Sequence, residues 1–419
     1  MPTTNHSASR PSASSPRVLL TDTNRWPAPA RVAIGLAKSG CTVAAICPTR
    51  GHPLLYTSVV ERCFPYGSLR PLESLWAAIE IFQPDAIVPC DDRGVLHLHE
   101  LYDRACSQGS SGARVISLLE HSLGSPVSFA TVSCRGKLLN VARQQGIRTP
   151  DSESLNSLDD LEAWQAGHTF PWVLKGDGTF GGRGVRIAHS FEEATKYYSE
   201  IQGMFGARRA FKRAIINRDP FWLRPWWQNH KPALIVQSYV LGHPANCAVV
   251  CWKGRVLAGI AVEVVSSDGQ TGPASIVRVV DNREMLDAAE RLAERLQLSG
   301  FFGLDFMIEK GSGTAYMIEM NPRCTPLSHL QLGKRRDMIE AFSAQLASRP
   351  PEDTVPVTHN DLIAYFPQSR NSQSASLQAS FQDVPQGEPD LVQALLHPWP
   401  DRSLLFRLAS KSVTLKFWT

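Results

Sequence analysis

The stretch FFGLDFMIEKGSGTAYMIEMNPR, residues 301–323, is two apolar runs joined by the turn signal KGSG, and it carries Asp305, Glu319 and Asn321 among core-type residues. Folded as a hairpin about Ser312, it sets Asp305 opposite Glu319. The two-residue period of a strand then puts Glu319 and Asn321 on one face and Ile318 and Met320 on the other. Like charges directly opposite each other destabilise a sheet, and burial sharpens the repulsion unless a cation sits between them. Oxygens of Asp, Glu and Asn are the hard donors that Mg²⁺ or Mn²⁺ takes, usually completed by water and substrate phosphates. The hairpin therefore reads as a divalent-metal platform; taken alone, it also fits the solvent face of an edge hairpin.

A second constellation lies upstream. FPWVLKGDGTFGGRGVRIA places Lys175 at the end of an apolar run, ahead of glycines at 176, 178, 181, 182 and 184 and a second apolar run. Closely spaced glycines let backbone N–H groups approach an anion, and a lysine supplies point charge to phosphates. The order of a Walker A loop is absent, and a strand rather than a helix follows. Alone, the loop fits a phosphate flap and a plain flexible turn equally well; beside a metal platform it argues for nucleotide phosphates.

The elements that must position these groups follow from patterning. RVLLTDT, CTVAAICP and DAIVPCDD read as buried strands separated by the helical patterns PARVAIGLAKSG and LESLWAAIEIFQP, the first ending at a C-cap Gly40. That is a parallel βαβ arrangement. The loop after its first strand, DTNRWPAPAR, lacks G-x-G-x-x-G, which argues against a nicotinamide-binding domain. Later strands come in antiparallel pairs, including NCAVVCWKGRVLAGIAVEVV with its turn at Lys253-Gly254. Beyond residue 345 the chain turns Pro-, Ser- and Gln-rich and reads as linker or loop before a short closing segment.

The ordered set of Lys137, Lys175 with GGRG, the strand ending QSYV, Asp305 and EMNPR resembles the ATP-grasp superfamily, in particular its carboxylate–amine ligase and carbamoyl-phosphate-synthetase-like branches. The resemblance spans about residues 17–345 and implies an ATP-grasp fold of α/β and α+β character behind an N-terminal parallel α/β domain. The division it implies is a tail over 1–16, the N-terminal domain over 17–120, the ATP-grasp domain over 121–345 and a linker with closing segment over 346–419. Within the ATP-grasp domain, a small subdomain with the glycine flap occupies about 121–233 and the metal-binding part about 234–345.

On this resemblance, Lys137 in RGKLLNVARQQGIRTP and Lys175, with Gly181, Gly182 and Gly184, hold phosphates. Gln237, Ser238, Tyr239 and Val240 meet adenine through backbone, while Asp305, Glu319 and Asn321 ligate Mg²⁺ (or Mn²⁺). Arg323 steadies the transferred phosphoryl group or the carboxylate. The implied activity is ATP-dependent joining of a small-molecule carboxylate to an amine through an acyl phosphate, with Lys175 and Arg323 as the catalytic pair. The alternatives are a bicarbonate-activating carboxylase or carbamoyl-phosphate-type enzyme, and a non-catalytic ATP-binding module. One departure concerns ribose: after the QSYV strand, many relatives have a glutamate where this chain reads LGHPANCAV. Lys175 is followed by GDG where many relatives have proline.

Composition sets outer limits. A formal charge of +4 spread over 419 residues argues for no nucleic-acid partner. Nine scattered cysteines without a C-x-x-C pair fit reduced thiols in a cytoplasmic protein. No apolar run reaches membrane-spanning length, the N-terminus has no secretory apolar segment and reads as a disordered tail, and a homodimer is the default assembly. Arg278 is a further residue that could reach a substrate anion, and the Arg/Trp-rich segment 203–232 could line an acceptor site. His97 and His99, two apart on a helix, do not share a face.

Overall fold

The computed structural model describes residues 15–177, 184–206, 211, 214, 221, 223–227, 232–269, 272–372 and 374–396. The chain opens with β1 (Arg17–Thr21), α1 (Ala28–Lys38), β2 (Thr42–Cys47), β3 (Val60–Pro65), α2 (Pro71–Phe82), β4 (Ala86–Pro89), α3 (Asp92–Ser107) and α4 (Ala113–Leu123). Its four strands form a parallel sheet in the order β3-β2-β1-β4. Because both faces are covered, β1 alternates its partners: Leu19 joins a core with α2, α3 and α4, while Val18 and Leu20 join another with α1. Gly40, at φ 85°, ends the turn after α1. Strand β3 went unmarked in the sequence because Glu61 and Arg62, exposed on this edge strand, break its apolar run.

Next come α5 (Phe129–Val132), α6 (Arg135–Gln144), β5 (Ser152–Leu155), α7 (Leu158–Gln165), β6 (Trp172–Gly176), β7 (Val185–Ala188), α8 (Phe191–Gln202) and β8 (Leu234–Ser238). The strands make an antiparallel sheet, β5-β8-β6-β7. Trp172, Leu174, Leu234 and Val236 pack on one face with α7 and α8. By alternation, Val173, Lys175, Val185, Ile187, Ile235 and Gln237 share the other face. Gly176 is required by packing: a Cβ there would lie 2.5 Å from the Ile201 side chain.

The third sheet has seven strands: β9 (Gly242–Trp252), β10 (Arg255–Ser267), β11 (Ala274–Val280), β12 (Gly300–Glu309), β13 (Ala315–Asn321), β14 (Leu362–Tyr365) and β15 (Phe381–Asp383), in the order β13-β12-β9-β10-β11-β14-β15. The turn Lys253-Gly254, with φ 48° and 80°, joins β9 to β10 as a two-residue hairpin. One face is covered by Leu138 and Ala142 of α6 and by the helix Arg283–Leu296. The other shares a core with the parallel sheet and the helix Met338–Leu346. The expected fold class, parallel α/β ahead of mixed sheets, is the one observed. The tract beyond residue 345 departs from its reading as loop, because β14 and β15 extend this sheet and Pro389–Leu396 is helical. Strands of four and three residues are too short to leave a periodic signal.

Candidate functional site

Strand register builds the site. Asp305 on β12 faces Glu319 on β13 and Asn246 on β9, and the same row continues through Val262 on β10 to Val279 on β11. Three polar groups thus stand in line where the row turns apolar into the shared core. Asp305 accepts from Asn246 Nδ2 at 2.6 Å and from Asn321 Nδ2 at 3.1 Å. Burial, then the neighbouring Glu319, push its carboxyl up to about 6. Burial also acts on Glu319, but Arg135 and then Lys175 outweigh it and hold that carboxyl below its ordinary range.

The small sheet delivers its cation across the cleft. Lys175, 5% exposed, donates to the Ile318 carbonyl at 3.3 Å, and burial followed by the charge of Arg135 lowers its ammonium to about 8. Arg135, the first residue of α6, donates to Glu319 at 2.5 Å and to Asp177 at 2.9 Å. Lys137, two residues along the helix, is exposed. The guanidinium that reaches the carboxylate pair is therefore that of Arg135. The basic run RGK, which holds both residues, is a signal, but spacing alone does not say which of the two turns inward.

Arg323 follows β13 with its guanidinium fixed on three sides: Nε to Asp92 at 3.0 Å, one terminal nitrogen to Asn321 Oδ1 at 2.9 Å, the other to the Cys324 carbonyl at 3.1 Å. Gln237 lies on the cleft face of β8, 1% exposed, and its Nε2 has no hydrogen-bond partner among the described residues. Ser238 donates its N–H to Asp151, and Tyr239 borders a cleft of about 400 Å³ with Pro171, Val185, Ile187 and Tyr197. Val240 is half-buried beside it. Of the flap glycines, Gly184 accepts from Gly176 N–H at 3.1 Å, while Gly178, Gly181 and Gly182 lie outside the described residues.

Other singled-out residues fall elsewhere. Arg278 pairs in register with Glu263, on the face opposite Asp305 and Asn246. His97 takes a 3.0 Å contact with Tyr66 Oη, and His99 stacks on Phe129 at 4.0 Å. Most of segment 203–232 lies outside the described residues, as does the C-terminal stretch 397–419. Its Phe221 sits edge-on to His97 and 4.0 Å beneath the Arg93 guanidinium. Asp92, Arg135, Asp177 and Asn246 are the polar residues at the site that motif spacing did not single out.

The donor set tests whether a metal fits. Among the described residues no group of three or more His, Cys, Asp or Glu side chains could hold an ion. Two facing carboxylates and an amide, one carboxyl pushed upward by burial and then by its neighbour, instead match a hard cation that keeps water and phosphate ligands.

Comparison with known proteins accords with this geometry. Residues 136–326 match the ATP-grasp domain family model. The large chain of carbamoyl phosphate synthase from Pyrococcus furiosus is 27% identical over 218 residues, covering 50% of this chain and 18% of that one. The chain thus spans under a fifth of the length of the curated relatives it matches. Among solved structures, N5-carboxyaminoimidazole synthase from Aspergillus clavatus, in complex with ADP, superposes with a TM-score of 0.57 at 13% identity, over 81% of this chain and 78% of that one. The L-amino acid ligase from Bacillus licheniformis gives 0.56 at 14%, over 81% and 77%. The fold is the ATP-grasp fold, and the ATP-grasp domain family model matches over residues 136–326.

Proposed function

We propose that this ATP-grasp chain is an ATP-dependent ligase that activates a small-molecule carboxylate as an acyl phosphate and couples it to an amine. The observation that carries the reading is the row Glu319–Asp305–Asn246, met across the cleft by Lys175 and Arg135 and flanked by Arg323. In this proposal Asp305, Glu319 and Asn321 hold Mg²⁺ (or Mn²⁺), which would neutralise and orient the terminal phosphates. Lys175 and Arg135 neutralise phosphate charge from the small sheet, and Arg323 stabilises the charge that develops on the transferred group. Lys137 and the flap glycines 181, 182 and 184 stay proposed as further phosphate contacts, and residues 237–240 as the adenine seat.

Chemically, a carboxylate oxygen attacks the γ-phosphorus and ADP leaves. The amine nitrogen then attacks the acyl carbon, phosphate departs, and the amine loses a proton. The protein's part is positioning and charge neutralisation. The carbamoyl phosphate synthase relatives favour one second reading, with bicarbonate as the acid. A cytoplasmic setting is proposed from the free cysteines, and a homodimer from symmetry defaults. Among the described residues no helix is long and apolar enough to cross a membrane.

Product analysis tests the reaction type. Incubation with MgATP and pools of amino acids and carboxylic acids should release ADP and phosphate. Hydroxylamine should trap the activated acid as a hydroxamate without the natural amine. AMP with pyrophosphate, or a stable phosphorylated hydroxyl product, would overturn the reading; turnover with bicarbonate alone would favour the second.

A further inference from the structure

Asp92 is the first residue of α3, at the carboxyl end of the parallel sheet, and it is far in sequence from the ATP-grasp hairpin. Its carboxylate takes the Arg323 Nε at 3.0 Å. From Arg323 the chain of hydrogen bonds runs to Asn321 Oδ1, from Asn321 Nδ2 to Asp305, and Asn246 closes the far side of Asp305. A guanidinium has five N–H donors in a rigid plane, so engaging Nε and both terminal nitrogens fixes that plane.

The platform beneath Asp92 is itself pinned. Asp91, 6% exposed, caps α3 through the Gly94 N–H at 2.9 Å and also accepts from Thr23 N–H, Thr23 Oγ1 and Asn24 Nδ2. The buried Asp22–His52 pair holds the same loop after β1 from below, at 3.0 Å. The loop bearing Arg323 is stitched to the sheet a second time, where the Cys324 N–H donates to the Pro89 carbonyl at 3.0 Å. We propose that Asp92 is a positioning residue: the N-terminal parallel-sheet domain aims Arg323 at the terminal phosphoryl group through it, and the ATP-grasp domain is incomplete without that contact. The proposal rests on the role given to Arg323 above.

Calorimetry on the full chain reads the contact without requiring turnover. The quantity is the ratio of dissociation constants for magnesium ADP and for a magnesium ATP analogue with a non-hydrolysable β–γ link. Asp92→Asn should shrink the preference for the analogue about fivefold while leaving ADP affinity within about twofold. Asp92→Glu should restore part of it, and Asp92→Asn should change nothing further in an Arg323→Ala background. With a competent acid present, KM for ATP should rise with the lost analogue affinity and kcat should fall for Asp92→Asn. An unchanged ratio, or the same effect with and without Arg323, would overturn the proposal. If the wild type binds both nucleotides but never turns over, the ligase reading falls and the ratio still decides on Asp92. If the wild type binds neither nucleotide, both fall.

Discussion

Asp305 and Glu319 are direct register partners across β12 and β13, yet their carboxyl groups are shifted in opposite directions, Asp305 up to about 6 and Glu319 downward. Two amide donors face the first, whereas a guanidinium and an ammonium face the second. Like-charge repulsion alone predicts that removing either charge steadies the fold; the geometry splits that expectation. Asp305, raised from 3.8, is protonated in the folded state over the window from 3.8 to about 6 while the unfolded chain is ionised, so its ionisation costs stability as pH rises. Asp305→Asn should therefore gain stability relative to wild type by about 1 kcal/mol between about pH 5 and pH 7, read by denaturant unfolding without metal. Glu319→Gln should instead lose about 1 kcal/mol at neutral pH, since Arg135 and Lys175 lose their shared counter-charge. Equal shifts in the two variants would contradict the asymmetry.

Arg135 separates from Lys137 by substitution. Arg135→Gln leaves Glu319 and Asp177 without their ion-pair partner, so it should cost about 2 kcal/mol of stability and at least about tenfold in ATP turnover. Lys137→Gln, at an exposed position, should stay within about 0.5 kcal/mol in stability. Paired unfolding and turnover measurements check both, and a Lys137→Gln turnover loss matching that of Arg135→Gln would give the lysine a phosphate role equal to that of the arginine.

How far the sequence discloses this site depends on the range of the contact. The hairpin was readable because KGSG marks a local turn, but the turn pairs Phe306 with Met317, and Asp305 meets Glu319 only through a register shift between Asp305 and Phe306 that the sequence does not signal. Arg135 was not, because the angle at which α6 leaves Cys134 decides which basic side chain of RGK enters the cleft, and that angle is set by packing of Leu138 and Ala142 on the large sheet. Asn246 stood in the sequence only as an oddity of LGHPANCAV; its meaning appears when β9 is found beside β12 rather than beside β10 alone. Asp92 is more remote still, since its partner is supplied by another sheet. Strand register within a hairpin is local chemistry, and sheet order is not.

Lys175 makes a pH prediction whose two signs oppose each other. Its ammonium is lowered from 10.5 to about 8 by burial first and by Arg135 second. Between about 8 and 10.5 the unfolded chain holds the proton that the folded chain has lost, so this group makes stability rise with pH in that window. Nucleotide binding depends on the charged form, so affinity for MgADP should fall about tenfold from about pH 7.5 to about pH 9. Lys175→Met should bind weakly at both values with a flat profile. A wild-type affinity that holds constant through pH 9 would remove the ammonium from the phosphate role.

Gln237 carries the last prediction. Its amide is 1% exposed on the cleft face of β8, directly opposite Val173 of β6, and its Nε2 has no partner among the described residues. A buried donor left unpaired costs about 1–3 kcal/mol, which an apolar group of the same shape does not incur. Gln237→Met should therefore raise stability without nucleotide by about 1 kcal/mol. If the amide is held ready for a base edge, the same change should weaken MgADP about fivefold and MgGDP not at all relative to its own baseline, because only a specific hydrogen bond is lost. Thermal unfolding and calorimetry on one pair of proteins read both effects. A variant that is more stable yet binds MgADP as wild type does would make Gln237 a packing residue, with base recognition left to the backbone of residues 238–240.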